Sequence, residues 1–374
     1  MVEDLVGAGH KRTLSVDDAV AALKARPGLI PVAIRPTGGV CAGELYLADL
    51  GRHPFREWQF MYSVQHLAQS GALGEILVTD LSLLERGDLP QDTLDPAGFI
   101  FHVSRCGSTL MAKALARLES NLVINQGGPL QRGFWAAITD DFRVGPGHDP
   151  RSHGLFRNLV RLMARRRRGV EQRAFVKFIS WNIRVQDFVR AAYGDVPALF
   201  LYRDPVEVIA SVKKETTAVL HARGTRQAAM LTGLDVCETH DMSDTAYLAA
   251  CYAAYFRTAL GAGAEDGLSV LNYIWLKKPD HFRDILVRGL GYEPDVADLA
   301  VMQEQFRYHS KDDTDKATFS GDSAEKQAAL DNQDVEEVAR WCGALTEHLD
   351  RSPINLFPSG AEGAGHVRMA VNNG

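Results

Sequence analysis

Six consecutive residues, Ser104-Arg105-Cys106-Gly107-Ser108-Thr109, bring hydroxyls, a guanidinium and a glycine together where an apolar run gives way to helical spacing. The run before them, Phe99-Ile100-Phe101-His102-Val103, has the length of a buried strand, and Leu110, Ala114, Leu115 and Leu118 follow at helical intervals. Strand, tight polar loop and helix make a cradle for an anion. The first N–H groups of such a helix have no intrahelical acceptor and can bind anionic oxygens. Gly107, without a Cβ, lets the backbone approach a ligand; Ser108 and Thr109 add hydroxyl donors, and Arg105 a planar, multi-donor cation.

Two further segments carry chemistry of the same kind. Ala198 to Tyr202 reads as a buried strand ending at Arg203, Pro205 suits a first helical turn, and Ser211 lies two turns into that helix. Arg203 and Ser211 can share one phosphate, with the arginine as a bidentate donor. Between the two segments, Ala174-Phe175-Val176-Lys177-Phe178 is an apolar strand with a lysine near its end, where an unpartnered ammonium is costly.

The first loop is not a Walker A loop, because it lacks the second glycine and the Gly-Lys-Ser/Thr ending; Lys113 lies four residues past Thr109. It resembles the 5′-phosphosulfate loop of sulfotransferases that use 3′-phosphoadenosine 5′-phosphosulfate (PAPS), in particular the bacterial and tyrosylprotein branch. Arg203, Pro205 and Ser211 resemble the 3′-phosphate motif of the same family, and Lys177 matches a strand-end lysine that contacts the transferring group there. The resemblance spans about residues 97 to 325. It implies a P-loop fold, PAPS or its product PAP as cofactor, and no metal. Its cofactor contacts would be Ser104, Arg105, Cys106, Gly107, Ser108, Thr109, Arg203 and Ser211, with Arg105 and Lys177 catalytic. Leu268 to Tyr273, Pro279 and Gly289-Leu290-Gly291 are similar to later family segments, with Ile274 where an acid is common, and Ser310 and Lys311 fall where the family covers the nucleotide. The reaction implied is in-line transfer of a sulfuryl group to a hydroxyl or amine of a small-molecule or lipid acceptor. An ATP-dependent P-loop kinase and a non-catalytic adenine-nucleotide-binding protein are the alternatives.

The general base has no assignment. The family relatives place a glutamate after the second strand, whereas this chain reads Asn125-Gln126-Gly127, and a glutamine is no base at neutral pH. His148, His153, Asp140 and Asp141 substitute by residue type only. His102 reads as a satisfied core histidine, Asp49 and His53 as turn residues rather than a metal pair, and Arg165 to Arg168 as a solvated helix end. Cys106, at a helix N-terminus, is placed for a lowered thiol pKa.

The elements that must position these residues form an α/β fold with a central parallel sheet in three layers, preceded by a small α+β unit. Strands are expected at 99–103, 121–124, 174–178, 197–202 and 268–273, and helices at 109–118, 154–167, 182–192, 206–221 and 243–260. In the first 94 residues, Ser15 caps a helix over 16–25, strands cover 29–34, 43–47 and 75–79, and a helix covers 58–67. The Gly, Pro and Asp cluster at 87–96 sets a boundary, giving units 1–94 and 95–358 and a tail at 359–374. With 374 residues, 24% charged and a net charge of -6, the chain has no global attraction to nucleic acid, so any anion site is local. Five scattered cysteines without a Cys-x-x-Cys pair fit a reducing cytoplasm, and no run has the apolar length of a membrane span. Self-association stays open.

Overall fold

The computed structural model describes residues 11–214, 218–263, 266–308 and 330–359. Its larger sheet has five parallel strands, β5 (Pro96–His102), β6 (Asn121–Asn125), β7 (Arg173–Lys177), β8 (Ala198–Tyr202) and β9 (Leu268–Asn272), in the order β6-β7-β5-β8-β9. The strands are buried almost throughout, so they read as continuous apolar runs rather than alternating ones. From β5 the chain moves to β6 and β7 on one side and then crosses to β8 on the other. The carboxyl ends of β5 and β8 therefore flank the point where the strand order reverses, which is where open α/β sheets bind ligands.

A smaller four-stranded sheet precedes it: β1 (Lys11–Thr13), β2 (Leu29–Pro36), β3 (Gly43–Asp49) and β4 (Ile76–Asp80), in the order β1-β4-β3-β2. Its helices are α1 (Val16–Ala25), which Ser15 caps by accepting from the Asp18 N–H, and α2 (Phe60–Gln69). One continuous apolar core runs through both sheets. After α3 (Ser108–Ala116) and a one-turn helix α4 (Phe134–Ile138) come α5 (Pro150–Met163), α6 (Gln186–Tyr193), α7 (Pro205–Lys214) and α8 (Ala218–His221). The remaining helices are α9 (Arg226–Thr232), α10 (Val236–Asp241), α11 (Asp244–Gly261), α12 (Tyr273–Leu276), α13 (Phe282–Leu290), α14 (Val296–Gln303) and α15 (Asn332–Arg351). Among the described residues no helix is long and apolar enough to cross a membrane.

The five expected strands of the larger sheet are present to within a few residues, although Tyr273 opens α12 instead of closing β9. The free edge of β9 is covered by the segment after α15. Val270 N–H donates to Ile354 O and Leu356 N–H to Val270 O, at 2.9 and 3.0 Å.

One reading is corrected. The arginine run is not a solvated helix end: α5 stops at Met163, and Arg165 and Arg167 are buried. Arg165 is bidentate to Asp92 at 3.1 and 2.8 Å, and its Nη1 donates to the carbonyls of Leu23, Arg26 and Leu29. In place of an exposed terminus, Arg165 finds carbonyls at the end of α1, at Leu23 and Arg26, and at the start of β2, at Leu29. Arg167 stacks its guanidinium 4.1 Å over Phe55, and Arg168 pairs with Glu171 at 3.1 Å.

Candidate active site

The loop after β5 has the backbone that a cradle requires. Arg105 and Gly107 both lie in the left-handed region, at φ 58° and 80°, and Gly107 is the N-cap of α3. Gly107 is needed twice over: a Cβ there would stand 2.8 Å from the Tyr273 ring. The first hydrogen bond of the helix runs from Met111 N–H to Gly107 O at 3.2 Å. Helix geometry leaves the Ser108, Thr109 and Leu110 N–H groups without an intrahelical acceptor. The Ser108 side chain is buried, whereas Thr109 and Arg105 are half-buried.

Cys106 does not have the lowered thiol pKa for which its place at a helix start suits it. Its Sγ points into the core and donates to Val103 O at 2.8 Å, and burial, over the weaker pull of nearby donors and Lys177, pushes its pKa up to about 11. Its contribution to an anion site is confined to the backbone. His102 is buried, with Nδ1 2.7 Å from Val103 O and Nε2 2.9 Å from Phe178 O. Burial first, and then the charge of Lys177, push its pKa down to about 3 against the pull of these two carbonyls, and its ring is part of the core.

Arg203 leaves β8 beside this loop. Its Nη1 donates to Arg105 O at 3.2 Å, so two segments 98 residues apart in the chain are in direct contact. The guanidinium is nearly buried, packs 4.6 Å over the Tyr273 ring and is held by Glu207, which accepts from its Nε at 2.6 Å and from its Nη2. Ser211 follows Glu207 by four residues on α7 and so lies on the same helix face, also buried. A cavity of about 530 Å³ opens beside Arg203, between Glu207, Tyr273 and α15.

Lys177 ends β7 fully buried, in register with Asn125 of β6 and Ile100 of β5. It therefore shares the carboxyl edge of the sheet with the β5 loop. Gln126, where an acid was expected, has a left-handed backbone (φ 54°); its N–H donates to Lys177 O at 2.7 Å and its carbonyl accepts from Gln131 Nε2. Beyond these strand ends lies a cavity of about 710 Å³, whose lining includes Gln131, Arg132, Trp181, His221 and Arg226. The sequence reading passed over Arg132, Trp181, His221 and Arg226, which carry no motif and converge only through the fold.

The substitute bases fall elsewhere or are spoken for. His153 lies within α5 rather than in a loop and packs 4.8 Å from Phe188, and His148 faces Asp187 at 3.4 Å. Asp141 lines the larger cavity but is bound by Arg132 and Arg226; burial would raise its pKa, and these arginines more than reverse that. Asp140 is likewise held low, by the Gly39 N–H and by Arg143. Asp49 accepts from the Gly51 N–H in a turn, and His53 pairs with Glu57. Ser310 and Lys311 lie outside the described residues.

No protein-family model matches the chain, and no curated protein matches it either. Among solved structures, a sulfotransferase domain from the curacin biosynthetic pathway aligns with it at 14% identity and a TM-score of 0.36, over 68% of this chain and 98% of that one.

Proposed function

We propose that the protein is an enzyme that transfers a sulfuryl group from PAPS to a hydroxyl or amine of a second substrate. The observation that carries this reading is the contact of Arg203 Nη1 with Arg105 O, which joins the two anion-binding segments at the reversal point of the sheet. A nucleotide charged at both its 5′ and 3′ ends needs two such segments side by side, and the residues present fit it. The N–H groups of Gly107, Ser108 and Thr109, with the Thr109 hydroxyl, would hold the 5′ end; Arg203 and Ser211 would hold the 3′-phosphate; Ser104 and Cys106 shape the turn. PAPS, when bound, supplies an activated sulfuryl group. Arg105 and Lys177 would then counter the charge that spreads over the transferred group and the leaving oxygen. The backbone of Arg105 is set by the left-handed turn and that of Lys177 by β7, and such prepositioning makes the stabilisation effective. The larger cavity beyond β6 and β7 would seat the acceptor.

The test is calorimetric titration with PAP, ATP and 5′-AMP, each with and without magnesium. Metal-independent binding that requires the 3′-phosphate, weakened by about 2–4 kcal/mol in Arg203→Ala, supports the assignment, since that is the scale of a lost charge-assisted contact. An affinity unchanged by that substitution removes the 3′-phosphate site, and preference for magnesium-ATP indicates a kinase. PAP binding without turnover over a broad acceptor panel would favour a non-catalytic nucleotide binder, a reading that Gln126 at the strand end supports.

A further inference from the structure

The larger cavity is built around two arginines and a stretch of strained backbone. Arg132, from the turn before α4, and Arg226, at the start of α9, approach the single carboxylate of Asp141 from two sides. Arg132 Nη2 is 2.6 Å from Asp141 Oδ1, and Arg226 Nη2 is 3.1 Å from Oδ2. Two cations thus share one carboxylate, and the remaining side chains of the lining include no other acid. Arg132 Nε is taken by Gln227 and Arg226 Nε by Asp141 O; among the described residues the Nη1 of each arginine has no acceptor. Both side chains are about half exposed, at 51% and 46%.

The segment that supplies Asp141 is independently unusual. Asp140, Asp141 and Phe142 are three successive L-residues in the left-handed region, at φ 47°, 55° and 60°. Such backbone costs roughly 1–2 kcal/mol per residue and persists only where its surroundings hold it. Here Thr139 Oγ1 accepts from Phe142 N–H at 3.0 Å, and Asp140 Oδ1 accepts from Gly39 N–H of the β2–β3 turn at 2.7 Å. The strained turn delivers a carboxylate between the two arginines and sets the Phe142 ring near Trp181, 6.0 Å away, in the same cavity wall. Ile179, Ala218, Ala222 and Val236 complete an apolar floor.

We infer that this cavity binds an organic anion: a molecule with an apolar or aromatic body and one carboxylate, sulfate or phosphate group, the anion held by Arg132 and Arg226. A volume near 710 Å³ accommodates a molecule of that kind. The inference that this anion is the acceptor rests on the proposed sulfuryl transfer; the binding itself does not.

A matched pair of fluorescent probes tests it. 8-Anilinonaphthalene-1-sulfonate and N-phenyl-1-naphthylamine share an aromatic body and differ by the sulfonate. The full chain should bind the sulfonate at least tenfold more tightly, with energy transfer from tryptophan that Trp181→Phe diminishes. Arg132→Gln and Arg226→Gln should each remove most of that preference and leave the neutral probe unchanged. Asp141→Asn keeps a residue that tolerates left-handed backbone while removing the competing charge, and should strengthen sulfonate binding several-fold. Equal affinity for the two probes, failure of the sulfonate to bind, or indifference to both arginine substitutions overturns the proposal. So does loss of sulfonate binding in Arg203→Ala, which would put the probe in the nucleotide site. Titration of the same samples with PAP separates the two readings. Sulfonate binding without PAP binding sinks the sulfotransferase and keeps the anion cavity, and the converse result does the opposite.

Discussion

Arg203 is held by a carboxylate that a nucleotide phosphate would have to share. Glu207 accepts from two of its nitrogens, and both side chains are nearly buried. An anion arriving at Arg203 meets the repulsion of Glu207 at short range. Glu207→Gln keeps a hydrogen-bond acceptor and removes the charge, so PAP should bind several-fold more tightly to this variant. Calorimetry checks this, and weaker binding would mean that Glu207 orients Arg203 rather than competing for it. Gly107 sets a second test. Alanine there must adopt φ near 80° and also push the Tyr273 ring away. The variant should lose about 2–4 kcal/mol of stability, the sum of a strained backbone and an overpacked contact, as read from urea denaturation. Measured against a Tyr273→Ala background, the same substitution should cost less by the part that the ring contributes, leaving the backbone part and the contact with Leu276. No remaining cost in that background would show that the left-handed backbone costs nothing here.

At the scale of elements, the site was legible where chemistry and periodicity coincide. The strand–loop–helix around Gly107 and the strand–Arg203–helix segment stand in the sequence because each pairs a continuous apolar run with polar residues at its end. What escaped was set by partners distant in the chain. Arg165 reads as solvated because nothing local offers it an acceptor; its acceptors are Asp92 and carbonyls 136 to 142 residues away. Cys106 stands at a helix start, where a thiol pKa can be lowered, yet the turn directs its sulfur inward. Arg165→Met would test the arginine's structural role: it leaves the carbonyls at the end of α1 and the Asp92 carboxylate unmatched, and should cost about 2–4 kcal/mol. The smaller sheet also carries a pH response. Glu57 accepts from His53 at 2.8 Å and from Ser63 at 2.5 Å. Burial alone would raise its pKa, but these bonds and the His53 charge bring it down to about 2 from an ordinary 4.5. A depressed carboxylate stabilises the fold fully above its unfolded pKa, so this contribution, about 3 kcal/mol at most, should vanish as pH falls from 4.5 towards 2. Glu57→Gln should flatten the stability profile over that window.

For the molecule as a whole, the first 94 residues pose the main question, because no catalytic constellation lies among those of them that are described. We propose that they act as an accessory unit that braces the acceptor side of the larger sheet. Besides the shared side-chain core, backbone meets backbone here. A Cβ at Gly133 would lie 2.2 Å from Ile34 O, and one at Gly128 would lie 2.4 Å from Val32 O, so the turn before α4 sits directly on β2. Neither glycine has a positive φ, which leaves space alone as the reason for a glycine at either position. Cys41 N–H donates to Ala137 O at 2.8 Å, and the same β2–β3 turn holds Asp140 through Gly39. The smaller sheet therefore supports the left-handed turn that lines the cavity. Gly133→Ala introduces one methyl group with no change in preferred backbone, and the carbonyl it meets belongs to a strand that cannot swing aside as a side chain can. It should cost about 2–4 kcal/mol, lower the affinity for the sulfonate probe although residue 133 does not line the cavity, and leave PAP binding unchanged. Because one apolar core spans both sheets, far-UV circular dichroism and tryptophan fluorescence should report a single coincident urea transition in the wild type and the variant. Two separated transitions in the wild type would show instead that the units are thermodynamically independent, and a variant that loses stability but keeps full probe affinity would remove the brace.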